Sequence, residues 1–182
     1  VEGIEDISTL NRVLDRLFSS QPAMTLWLCF DALASERSFD IEREFAKQIQ
    51  GRHPHITVKN SYPLLAAMRK IKSPEEIEAI RKAMQITEAG IRRMMRVAKP
   101  GMMEYELEAE FNSELAKHGQ RRTAFPSIIA GGERIFYLHY TNPMSVIAKE
   151  DLVLSVVGAT YDEYCTDISR VFPANGRFSK RQ

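Results

Sequence analysis

No stretch of this 182-residue sequence holds the roughly 18 consecutive apolar residues that a membrane-spanning helix needs, and the N-terminus lacks a charged-then-apolar signal pattern. No membrane partner is therefore expected. Cysteine is scarce. Cys29 and Cys165 are the only two, with no C-x-x-C pair, which speaks against a disulfide scaffold or a thiolate metal site and for a reducing, cytoplasmic compartment. Neither charge is in excess, since 25 Lys and Arg face 24 Asp and Glu for a formal net charge of +1. That balance excludes a chain held to nucleic acid by bulk electrostatics, and the doublets Arg92-Arg93 and Arg121-Arg122 read as solvated surface. There is no internal repeat and no low-complexity tract. Val1 in place of an initiating methionine is expected of a processed start or of a piece of a longer chain.

What is present is ordinary globular material, 44% hydrophobic and 27% charged, which argues against disorder over the whole length. Ile4, Ile7, Leu10, Val13, Leu14 and Leu17 recur at helical spacing, and Met24 to Phe30 reads as a buried strand. Ile41, Phe45 and Ile49 mark a second helix, and Ile56 to Val58 a second strand, giving the helix-strand alternation of an α/β layer. Four elements in so short a stretch look like part of a larger sheet. A joint is expected between Val58 and Ser73, around Lys59 to Tyr62.

Ser73-Pro74-Glu75-Glu76 carries a helix start with a capping box and Pro at the first helical position. Ile77, Ile80, Met84, Thr87, Ile91, Met94 and Ala98 follow as one apolar face until Pro100-Gly101. A further helix carries Leu107, Phe111 and Leu115 and ends at Gly119. Beyond Arg122 the chemistry changes to strands, expected over Phe125–Ala130, Ile135–Tyr140, Leu152–Ala159 and Tyr164–Phe172.

Four strings, in this order and spacing, resemble the Xaa-Pro aminopeptidase branch of the pita-bread metallopeptidases: MRKIKSPEEIEAIRKA, MMEYELEAEF, AFPSIIAGG followed by YLHYTN, and DLVL with YCTDISRVFPANGRF. The resemblance implies an α/β (α+β) fold. Residues 1–62 would be the later part of a creatinase-like N-terminal domain, and residues 63–182 the first half of a pita-bread catalytic domain. It also implies a dinuclear manganese site held by two Asp, one His and two Glu, acting on peptides with proline in second position. Hard carboxylate oxygens suit manganese, and two close cations can share one activated water.

Asp167 falls on the second of the family's two Asp ligands. The first falls two positions before Gly158, where this sequence has Val156. If the strands turn about Tyr161 and Asp162, Val156 and Asp167 stand directly opposite one another on one face, Cβ atoms about 4.5–5.5 Å apart. The remaining His and two Glu would lie past Gln182, so one ligand of five is present, and no stoichiometric metal is expected on this chain. His139 in YLHYTN matches the histidine that the family places beside the metals to contact substrate and assist proton transfer, a task suited to an imidazole because it titrates near neutrality. His53 and His55 flank Pro54 and read as a loop before a strand rather than as ligands.

The expectation is a segment or degenerate member of an Xaa-Pro aminopeptidase, inactive as it stands and prone to self-association through the face that the rest of the domain would cover. A non-catalytic peptide-binding or oligomerisation module is the alternative, favoured by Val156. Prolidase or creatinase activity in the parent protein also stays open.

Overall fold

The computed structural model describes residues 6–20, 23–30 and 36–182. It divides into two compact units, residues 1–71 and 72–182. In the first, a short 3-10 turn at Ile7–Thr9 leads into helix α1 (Leu10–Ser19). Strand β1 (Met24–Leu28) then pairs in parallel with β2 (Ile56–Asn60), the two joined through helix α2 (Glu36–Arg52), a crossover of the length that parallel strands require. The helix-strand alternation expected from the sequence is therefore present. Its apolar face differs in detail, because Phe18, Ile49 and Ile56 form the buried centre while Ile7 is exposed, and Ile4 lies outside the described residues. The chain then enters helix α3 (Tyr62–Lys70), started by Pro63, which the periodicity does not reveal. Among the described residues no helix is long and apolar enough to cross a membrane.

The second unit opens as the local signals dictate. Ser73 caps helix α4 (Pro74–Val97): its hydroxyl accepts from Glu76 N–H, and the Glu76 carboxylate returns a bond to Ser73 N–H. Ser73→Ala should cost this unit about 1 kcal/mol, read as a lowered urea midpoint at unchanged slope. The face that α4 buries is not the one the large side chains suggest. Ala79, Ala83, Ile86, Thr87, Gly90, Ile91 and Met94 turn inward, whereas Ile77 and Met84 are exposed. Small residues win because helix α5 (Glu104–Lys117) packs close: a Cβ on Gly90 would stand 2.5 Å from the Phe111 ring. Leu107, Phe111 and Leu115 complete that contact as the sequence implies.

The core continues onto an antiparallel sheet in the order β3 (Ile128–Gly131), β4 (Leu152–Val157), β7 (Ile168–Pro173). Val153 and Val157 of β4 point into the helices, while Leu152, Leu154 and Val156 alternate to the other, half-buried face. Between β4 and β7 the ladder narrows to the two-residue strands β5 (Thr160–Tyr161) and β6 (Tyr164–Cys165). Thr87 on α4 pins this end: its Oγ1 lies 2.7 Å from Thr166 Oγ1 and accepts from Ala159 N–H at 2.9 Å.

Three expectations are corrected here. The hairpin turns about Asp162 and Glu163, both at positive φ (49° and 65°), one residue later than expected. A two-residue loop of that kind matches the strand twist, and it sets the register so that Val156 opposes Ser169, not Asp167. The second correction concerns Ile135–Tyr140, which is no strand. Gly132, at φ 61°, starts a 3-10 helix (Gly132–Phe136), and the chain then turns through His139, itself at φ 53°. Strand β3 likewise begins only at Ile128, after Pro126, which has no N–H for a ladder.

Candidate functional site

Moving a hairpin turn by one residue moves every partner by two, so the faces are kept while the neighbours change. Val156 and Ser169 share the face turned away from α4 and α5, and Asp167 precedes Ser169 by two residues. In this register Asp167 is diagonal to Val156, a separation of about 7–8 Å between Cα positions rather than the shorter span of direct partners. Asp167 is exposed, and Val156 is half-buried near the end of β4. A diagonal pair of carboxylates on this face could reach one cation from one side, but a valine brings only hydrocarbon. Among the described residues, no three His, Cys, Asp or Glu side chains converge as a metal-binding group. The donors in this stretch therefore do not fit a dinuclear cation site.

His139 sits in the exposed turn after the 3-10 helix, and neither it nor Asp167 has a hydrogen-bond partner among the described residues. The turn is nevertheless anchored. Next to it, Tyr140 donates its hydroxyl to Glu104 Oε2 at 2.8 Å, and Ser145 N–H reaches the same oxygen at 3.1 Å. The other oxygen accepts from Gly131 N–H at 2.8 Å and from Arg134 Nε at 2.7 Å. One carboxylate at the start of α5 thus ties down both ends of the loop that carries His139.

Glu104 is completely buried, at 0% exposure. Burial pushes its carboxyl upward, but the four hydrogen bonds, that from Arg134 foremost, outweigh it and hold the pKa below the usual glutamate value. Arg134 is held correspondingly high by the same bond. Sequence reading passes over Glu104. The signal is there in the periodicity: Glu104, Leu107, Glu108, Phe111 and Leu115 fall on one face, and a carboxylate on an apolar face needs partners.

His53 and His55 are structural. His53 is buried with Nε2 2.8 Å from Asp15 Oδ1, and His55 Nε2 lies 2.9 Å from Phe18 O. Cys29 and Cys165 are free.

Comparison with known proteins returns one consistent answer. The model of metallopeptidase family M24 matches residues 78–182. The chain is 42% identical over 120 residues to the Xaa-Pro aminopeptidase of Escherichia coli strain K12, a match covering 66% of this chain and 27% of that protein. The Haemophilus influenzae Xaa-Pro aminopeptidase is 41% identical over 120 residues, covering 66% and 28%. Among solved structures, a candidate aminopeptidase P of Bacillus anthracis superposes with a TM-score of 0.84 at 35% identity, over 100% of this chain and 43% of that one. Proline aminopeptidase P II of Yersinia pestis gives 0.79 at 34% identity, over 94% and 40%. The chain spans less than half the length of each of these relatives.

Proposed function

Because the chain belongs to metallopeptidase family M24, we propose that its second unit is the leading half of a pita-bread peptidase domain of the Xaa-Pro aminopeptidase kind, with the first unit the later part of a creatinase-like domain. The whole protein would act on peptides with proline in second position, in a reducing, cytoplasmic compartment suited to two free thiols. The hairpin β4–β7 supports this reading, since its register leaves Asp167 on the face away from the helices. In that role Asp167 would help hold a cation, and His139 would contact the substrate and carry a proton at an imidazole nitrogen.

The single observation that bears on activity is Val156. With hydrocarbon at that position and one carboxylate on the face, little attraction offsets stripping water from a divalent ion. We therefore read the chain by itself as binding no stoichiometric manganese and releasing no residue from an Xaa-Pro peptide. Metal analysis after dialysis against manganese, run beside a peptide-release assay, tests both, and Val156→Asp should change neither result. Near two metals per chain, or turnover that a chelator abolishes, would overturn the reading.

The same unit exposes Phe136 (83%), Leu138 (87%), Met144 and Val146 around the His139 loop. Apolar side chains so placed favour contact with another surface, so the isolated chain should self-associate through this region. Light scattering over a wide concentration range should show mass rising with concentration. A constant monomer mass would be the contrary result.

A further inference from the structure

Further along α5 than Glu104, a cavity of about 480 Å³ lies between that helix and the connection into β3, lined by Glu108, Asn112, Arg121, Arg122, Thr123 and Ser127 among others. Pockets of this size are typical of small-molecule sites. Two anomalies of the second unit meet here. Ser127 is 5% exposed, and its Oγ is the buried side-chain polar atom that finds no hydrogen-bond partner among the described residues. Such orphans are rare in folded proteins and call for an explanation. Glu108 is the other. It is half-buried with no hydrogen bond or ion pair to a described residue. Its carboxyl is pushed upward, and burial is the cause, with no guanidinium drawing it back.

Arg121 and Arg122 line the same cavity, exposed and likewise without an ion pair among the described residues. Opposite charges in one pocket that do not pair with each other are separated by more than a salt-bridge distance. A ligand whose own charges are separated in the opposite sense would satisfy both. We propose that this cavity binds a small zwitterion, a free amino acid or a dipeptide, with its ammonium at Glu108, its carboxylate at Arg121 and Arg122, and its polar body against Asn112, Thr123 and the Ser127 floor. An ammonium brought to Glu108 would supply the cation that its half-desolvated carboxyl lacks. A planar guanidinium pair is suited to grip a carboxylate through parallel hydrogen bonds. The site rests on these residues alone and stands whether or not the peptidase reading holds.

The experiment is a titration of the isotope-labelled full chain with diglycine, followed by amide and side-chain NMR shifts. Saturable shifts are expected at Glu108, Asn112, Arg121 to Thr123 and Ser127, at millimolar concentrations. N-acetylglycine, which keeps the carboxylate and lacks the ammonium, should bind about tenfold or more weakly, the factor expected from losing one charged contact. Glu108→Gln and the double change Arg121→Ala with Arg122→Ala should each weaken diglycine by a similar factor, while unperturbed spectra elsewhere show that the fold is kept. Ser127→Ala, which only removes an unpaired hydroxyl, should fold normally and lose affinity several-fold. Absence of saturation, shifts that map to another surface, equal binding of N-acetylglycine, or variants that bind like the parent would each overturn the assignment and leave the Ser127 hydroxyl to a water.

Discussion

Gly158→Ala is expected to unfold the second unit or to leave it with about 3 kcal/mol or more less stability. A Cβ built on Gly158 would stand 1.8 Å from the backbone oxygen of Thr166 and 3.1 Å from the Phe125 ring. The first distance is impossible between unbonded heavy atoms, and the obstacle is backbone, so no rotamer relieves it. Relief would require β4 and the strand opposite it to separate at Ala159 and Thr166. There the ladder is already held by the Thr166 N–H to Ala159 O bond and by Thr87. The loss should therefore spread to the contact of α4 with the hairpin. Thermal unfolding followed by circular dichroism measures it, with Gly51→Ala as control. Gly51 lies near the end of α2, and a Cβ there meets nothing within 4 Å, so its change should be neutral or slightly stabilising. A Gly158→Ala chain that melts like the parent would mean that the hairpin does not adopt this close approach.

Glu104→Ala should cost nearly as much, about 3–5 kcal/mol, because it strands a partly buried guanidinium and leaves Gly131 N–H, Ser145 N–H and the Tyr140 hydroxyl without their acceptor. Glu104→Gln keeps an acceptor oxygen but loses the charge that pairs with Arg134, so its loss should be smaller. Asp151, 3.9 Å from the Arg134 guanidinium, offers only partial compensation. Combining Glu104→Ala with Arg134→Ala should cost less than the sum of the two single changes, as for any pair in direct contact.

The same carboxylate sets a pH dependence. Its pKa in the folded chain lies below the unfolded value, so the stability it contributes is fully present above the ordinary glutamate range and is lost as pH falls through the depressed folded value. Urea unfolding of the parent should accordingly show stability dropping on acidification below the ordinary glutamate pKa, and the drop should be smaller in Glu104→Gln. Equal acid sensitivity in the two chains would assign the effect to other carboxylates. Because Tyr140 adjoins His139, loss of Glu104 should also broaden the His139 imidazole resonances as its turn loosens.

Much of the framework was legible in the residues themselves. Ser73, Pro74 and Glu76 mark the start of α4, and Leu107, Phe111 and Leu115 mark the buried face of α5, because capping and helical periodicity act over three or four positions. The family strings were legible too, and so was the departure at Val156. Less legible was which face of α4 is buried. Ile77 and Met84 are the more hydrophobic candidates, yet Ala83 and Gly90 lie inside, since a close helix pair selects for small side chains that only the partner helix reveals.

What the sequence by itself determined, then, is the helix-strand alternation of the first unit, the helices α4 and α5, the family and the identity of the residues on the hairpin. The tertiary structure alone decided the register, the replacement of a strand by a 3-10 turn around His139, and the gathering of groups on Glu104 and in the Ser127 cavity. The hairpin partners depend on where two residues with positive φ can be tolerated, and hydrophobic alternation is blind to a shift that preserves the faces. The Glu104 partners lie 27 to 41 positions along the chain. A buried carboxylate must find donors wherever the fold brings them, and no local pattern encodes that distance.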